Sequence, residues 1–198
     1  HPVRGILSPD EFLSSIEQNG MIVPIGDWAI TEGFKQLQQW QHHESLKSMT
    51  LSLNISAVQF QKDDFVSKLQ AYIAQFNIDC NKLFLELTES SLIRDYENTI
   101  KKINELSAMG IRFSIDDFGT GYSSLSYLKR FHLSQIKIDR MFIRDILTDP
   151  DDLTLVKTII DMGRNLGLDL VAEGVESRQQ FEILKSAGCA KYQGYWVS

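Results

Sequence analysis

The sequence predicts an α/β domain built around a barrel of parallel strands. Short strand-like segments alternate with helical ones from end to end. Consecutive strands are joined through helix, which implies right-handed parallel crossovers. Almost every strand also ends in a polar residue that is out of character for it. The first two observations fit either an open doubly wound sheet or a (β/α)8 barrel. The third favours the barrel, because barrel strands all deliver their carboxyl ends to one mouth. In an open sheet only the strands beside a switch point meet at a ligand.

The elements follow in order. Ser8-Pro9-Asp10-Glu11 is a capping box with Pro at the first helical position, and Gly20 is a stop. A second helix is predicted over 27–40, with Trp28, Phe34 and Leu37 on its apolar side. Thr50 to Asn54 alternates polar and apolar, as a strand does. A helix over 64–75 precedes a strand over 83–87, and a helix over 96–109 stops at Gly110 before a strand over 111–115. Further strands are predicted over 135–138, 168–172 and 190–194, with Gly167 and Gly188 at helix C-caps.

Composition excludes several classes. With 198 residues, 43% of them hydrophobic, the chain can bury a substantial core and reads as one domain, 1–198. A net charge of −6 argues against binding a nucleic-acid polymer through its backbone. Cys80 and Cys189 have no disulfide or zinc spacing and read as reduced, buried thiols of a cytoplasmic domain. The four histidines show no metal spacing; His42 and His43 read as solvated. No apolar run approaches the roughly 18 residues of a membrane span.

The strand-end residues are Asn54, Glu86, Asp116 with Asp117, Lys137, Glu173 and Gln193. Individually, each has an ordinary reading as a cap or turn residue. Lys137 resists that reading, since it alternates with Ile136 and Ile138 inside a strand. Carboxylates and an amide oxygen gathered at one mouth repel one another unless cations join them. Oxygen donors without His or Cys suit Mg2+ or Mn2+. Asp116 and Asp117 could serve two such ions, and two ions can activate water and neutralise a phosphoryl group. Lys137 would be a fixed cation near the attacking water or the phosphate. The residues thus reach metal-assisted phosphoester hydrolysis, without naming a substrate.

At these positions the sequence resembles the EAL family over the whole chain. The motifs are Leu53-Asn54-Ile55-Ser56, Glu86-Leu87-Thr88-Glu89-Ser90, the segment from Asp116 to Ser124, Ile136-Lys137-Ile138-Asp139, Ala172-Glu173-Gly174-Val175-Glu176 and Gln193-Gly194-Tyr195. The resemblance implies a modified (β/α)8 barrel, TIM-like, whose first strand is antiparallel to the rest. It also implies hydrolysis of cyclic di-GMP to linear pGpG with two Mg2+ or Mn2+ ions. By the same resemblance, Asn54, Glu86 and Asp116 would hold one metal. Asp116 and Asp117 would hold the second, with Glu173 as a metal contact or general base. Lys137 would contact the nucleophilic water, and Glu89 would anchor the loop after Asp117, in which Gly119 and Gly121 ease the backbone. Glu176 and Gln193 would line the mouth and meet substrate.

Two departures from the family pattern stand out. His132-Leu133-Ser134 replaces a common Pro-x-Asp before the lysine strand, which reads as a tolerable local change. The Glu-Ala-Leu stretch and its Arg do not occur, and His1 to Gly5 resembles the sequence just downstream of them. The expectation is a barrel incomplete at both ends, with that strand pair upstream of His1 and a weak or inactive fragment. The resemblance further implies a homodimer and a parent chain with a sensory or GGDEF domain, and leaves a membrane tether on that parent chain open. The alternative readings are a catalytically inactive EAL domain that binds cyclic di-GMP or a partner protein, and an unrelated barrel phosphodiesterase.

Overall fold

The protein is described by a computed structural model covering residues 1–93, 95–120 and 128–196. Six strands form one sheet in sequence order: β1 (Leu51–Asn54), β2 (Leu83–Thr88), β3 (Arg112–Phe118), β4 (Gln135–Ile138), β5 (Asp169–Ala172) and β6 (Lys191–Tyr192). Every neighbouring pair is parallel. The fold is therefore α/β, a parallel sheet curled as a half-barrel.

Nine α-helices are described: α1 (Leu13–Gln18), α2 (Ile22–Gln41), α3 (Ala57–Phe60), α4 (Phe65–Phe76), α5 (Glu89–Ile93), α6 (Tyr96–Ala108), α7 (Arg140–Arg144), α8 (Pro150–Asn165) and α9 (Arg178–Ala187). Among the described residues no helix is long and apolar enough to cross a membrane.

Register assigns the two faces of the sheet, since parallel partners side by side point the same way. One face carries Leu51, Leu53, Leu83, Leu85, Leu87, Phe113, Ile115, Ile136, Ile138, Leu170, Ala172 and Tyr192. These residues join Phe34 and Leu37 of α2, Leu69 of α4, Ile103 and Leu106 of α6 and Ile160 of α8 in one apolar core. Each fully buried Leu, Ile or Phe contributes about 1.5–3 kcal/mol. That layer, rather than intrinsic propensity, holds helices as short as α3 and α7, which would not form alone.

The opposite face is polar almost throughout: Ser52, Asn54, Glu86, Thr88, Arg112, Ser114, Asp116, Gln135, Lys137, Asp169 and Lys191, with Phe84 and Val171 the apolar members. A single buried core explains the first face. It does not explain the second.

Several boundaries differ from the sequence reading. The Ser8 capping box opens only a 3-10 turn, Pro9–Glu11, before α1. Helix α2 starts at Ile22, ahead of Pro24, because a proline in the first turn lacks only an N–H that has no intrahelical acceptor. Strand β3 runs on to Phe118 through an irregularity between Ile115 and Phe118. Cys189 is buried as expected, but Cys80 is only partly so, since it starts a 3-10 turn at the end of β2 nearer solvent. The His132 to Ser134 change is accommodated within the sheet margin: the Ser134 N–H donates to Phe113 O at 2.9 Å, and Ser134 O accepts from the Asp169 N–H at 3.0 Å.

Candidate active site

Lys137 is the centre of the polar face. It is 5% exposed, and its Nζ lies 2.8 Å from Glu86 Oε2, 3.0 Å from Asp116 Oδ1 and 2.7 Å from Glu173 Oε1. The four residues come from the carboxyl-terminal halves of β2, β3 and β4 and from just past β5. Each strand contributes one because each strand's alternation puts its polar residue on this face. Burial works against the Lys137 charge, but hydrogen bonds to Glu173 and Glu86, reinforced by their charges, hold its pKa well above the ordinary 10.5. With these three carboxylates as partners, Lys137 is held in its charged form.

Glu173 shows the opposite stress. Burial raises its pKa, Lys137 opposes the rise, and the nearby Asp116 and Glu86 add to it, leaving a net upward shift. One ammonium thus serves more carboxylates than it can neutralise.

Asp117 adds another carboxylate by an unusual backbone route. Strand alternation would turn it away from Asp116, but its φ of 54° is left-handed. Aspartate tolerates that region better than most residues, at a cost of roughly 1 kcal/mol or more. As a result, one carboxylate oxygen from each of Asp116, Asp117 and Glu173 lies within 4.8 Å of the others. Desolvation, then Asp116 and Asp139, push the Asp117 carboxyl upward, while Lys137 pulls it down. Two like charges about 4 Å apart repel by roughly 4 kcal/mol at an effective dielectric of about 20. Three hard oxygens gathered at that cost fit a divalent cation such as Mg2+ or Mn2+ and offer nothing to a soft one.

The remaining predicted residues surround this cluster. Asn54 is opposite Glu86 in the β1–β2 register, on the same face and exposed. Glu89, the first residue of α5, is 2% exposed, and its Oε2 accepts the Gly119 N–H at 3.1 Å, just past β3. Gly119 has φ +102°, and a Cβ there would meet Phe142 Cε2 at 2.8 Å, so no larger residue fits this turn. Gly121 and the rest of the loop to Ser124 fall outside the described residues. Glu176 is exposed and, with Asp139, Arg140, Met141, Arg144 and Gly174, lines a cavity of about 470 Å³. Gln193 is exposed just past β6, and its N–H donates to Ala172 O at 2.8 Å. The side-chain contacts therefore bring Glu86, Asp116, Lys137 and Glu173 together, with Asp117 joining through the carboxylate group, while Asn54, Glu176 and Gln193 are exposed and make none of these contacts.

Sequence reasoning gave no role to Asp139. It caps α7 by accepting the Met141 N–H at 2.7 Å and also presses on Asp117. Its position two residues after Lys137, at a helix start, was the available signal.

Comparison with known proteins decides the family: the EAL domain matches residues 1–198. The chain belongs to the EAL domain family. Among curated relatives, this EAL domain is 41% identical over 195 residues to the bifunctional diguanylate cyclase/cyclic di-GMP phosphodiesterase MucR of Pseudomonas aeruginosa, covering 98% of the chain and 28% of MucR. It is 37% identical over 194 residues to the cyclic di-GMP phosphodiesterase PdeR of Escherichia coli, covering 98% of the chain and 29% of PdeR. The chain thus spans under a third of the length of these relatives. Among solved structures, the PaMucR phosphodiesterase in complex with c-di-GMP superposes with a TM-score of 0.93 at 41% identity, covering 98% of the chain and 78% of that structure.

Proposed function

We propose that this EAL domain hydrolyses cyclic di-GMP to linear pGpG, using divalent cations held at the carboxyl ends of its strands. The observation that carries the reading is the pairing of Lys137 with Glu86, Asp116 and Glu173 beside the Asp116–Asp117–Glu173 oxygen group. Relatives at 41% and 37% identity bear phosphodiesterase names, which supports the substrate. The six-stranded sheet is read as most of a modified (β/α)8 barrel.

Asn54, Glu86 and Asp116 would hold one Mg2+ or Mn2+, and Asp116 and Asp117 a second, with Glu173 at its edge. Bound there, such ions lower the pKa of a water and offset phosphoryl charge. The chain's own residues do the rest. Glu173, with its carboxylate 2.7 Å from Lys137 Nζ, takes a proton from the attacking water as general base. Lys137, held protonated, orients that water and stabilises charge on the phosphoryl oxygens. The water oxygen forms a bond to phosphorus as the P–O3′ bond breaks, and the departing O3′ takes a proton from solvent water, leaving a 5′-phosphate and a 3′-hydroxyl. Glu176 and Gln193 contact the dinucleotide at the rim. Glu89 holds the turn at Gly119 and with it the loop beyond. A homodimer, a companion sensory or GGDEF domain and possible membrane tethering of the parent chain complete the proposal.

The test is product identity. The full-length protein with Mg2+ or Mn2+ should convert cyclic di-GMP to a species of pGpG mass, and chelation should abolish the conversion. Cleavage unaffected by chelator, or a different product, would remove this reading.

A further inference from the structure

The loop that carries Glu173 and Glu176 is gripped from three sides. Gly174, at φ +69°, lies so close to α7 that a Cβ there would meet Arg140 Cβ at 2.7 Å. Gly194 lies against the Val175 backbone, where a Cβ would meet its N at 2.4 Å and its O at 2.5 Å. Between these approaches, the Val175 N–H donates to Gln193 O and the Trp196 N–H to Val175 O, each at 3.0 Å. The third grip is a side chain. Gln180, in the first turn of α9 and 6% exposed, accepts the N–H groups of Glu176 at 2.9 Å and Ser177 at 3.0 Å through Oε1. Its Nε2 donates to Ile143 O at 3.0 Å and Arg144 O at 3.4 Å, the closing carbonyls of α7.

The first half of that pattern is an ordinary capping box with Ser177. The second half is not, because a capping residue has no need of a distant helix. Donors on one side and carbonyls on the other leave the amide a single orientation that satisfies all four partners. Helix α7 begins immediately after Asp139, two residues past Lys137, and the Glu176 end of the loop is three residues past Glu173. One buried amide therefore ties the segment downstream of Lys137 to the segment downstream of Glu173, whose side chains meet at 2.7 Å.

We infer that Gln180 is a positioning residue that sets the Glu173 loop in register with the Lys137 strand, resting on the proposed hydrolytic role of that pair. Gln180→Glu separates its two functions. A carboxylate still accepts from Glu176 and Ser177, so the cap is kept, but it cannot donate to Ile143 and Arg144 and sets an oxygen against their carbonyls.

The experiment measures Gln180→Glu and Gln180→Ala in the full-length protein by thermal denaturation, amide hydrogen exchange and cyclic di-GMP hydrolysis. For Gln180→Glu the expected result is faster exchange in 173–177, kcat down about tenfold and KM within about twofold, since the loss falls on the reacting geometry. Gln180→Ala should lose as much kcat and also melt lower. Wild-type kcat in Gln180→Glu overturns the inference, as does a kcat loss wholly explained by a smaller folded fraction. If the wild type itself does not hydrolyse cyclic di-GMP, the phosphodiesterase reading fails separately. Exchange then decides the tie alone: unchanged protection of 173–177 in Gln180→Glu overturns it, and faster exchange supports it.

Discussion

Lys137 Nζ lies 2.7 Å from Glu173 Oε1, across the gap between β4 and the end of β5, and both groups have raised pKa values. An isolated ion pair would stabilise the charged form of each partner and so lower the carboxyl's pKa. The upward shift of Glu173 shows that burial and the neighbouring carboxylates outweigh the single ammonium.

Lys137→Ala removes the ammonium that pairs with Glu86, Asp116 and Glu173. Removing one member of a buried pair commonly costs about 3–5 kcal/mol. The variant should melt well below wild type in chelator and recover more of its stability than wild type does when Mn2+ is added. Turnover should fall by about a hundredfold or more even with the ion present. Differential scanning with and without Mn2+ checks the first part, and equal Mn2+ increments in both proteins would count against it.

Proton competition gives a pH dependence. The ordinary values are 4.5 for Glu173 and 3.8 for Asp117, and both are raised in the fold. In the metal-free protein their stabilising contribution is complete below those ordinary values and is lost as pH rises through the raised ones. A bound cation must displace the same protons. The rise in Tm caused by Mn2+ should therefore grow as pH climbs from the ordinary carboxylate range toward neutrality, then level off. A Tm increment independent of pH across that window would contradict the assignment of the ion to these carboxylates.

Glu89→Ala should impair turnover more than it impairs metal binding, because Glu89 accepts the Gly119 N–H and is proposed to hold that turn rather than the cation. Titration calorimetry with Mn2+ alongside kinetics separates the two. Equal losses would make Glu89 a ligand instead.

Gly194→Ala tests the grip on the Glu173 loop from outside the reacting groups. At φ +148° and with the Val175 backbone 2.4 Å from the added carbon, the loop must move. The expected result is a stability loss of about 1–3 kcal/mol and a larger proportional fall in kcat than in substrate affinity. A variant with wild-type kcat would show that the loop's placement is not tightly set from this side.

Much of this architecture was legible in the sequence. The alternation of Lys137 with Ile136 and Ile138 gave both the strand and its polar side, and Glu86 and Asp116 followed the same rule. Asp117 was less transparent, since strand alternation places it on the wrong face and only a left-handed φ returns it to Asp116. Strand β6 shrank to Lys191–Tyr192, because Gln193 already turns its carbonyl to the Val175 N–H. Gln180 passed unnoticed because its local pattern is that of a capping residue. Its bonds to Ile143 and Arg144 span 37 and 36 residues, a distance no local rule reaches.

The most direct test of the central claim is the rate at which the full-length protein opens cyclic di-GMP in Mn2+, compared between wild type and Glu173→Gln. Gln keeps the shape and a hydrogen-bonding oxygen for Lys137 but cannot take the proton from water. The predicted result is wild-type turnover at least about a hundredfold above the variant, with both proteins folded. Equal turnover in the two, or a folded wild type that leaves cyclic di-GMP intact in Mn2+, would contradict the account.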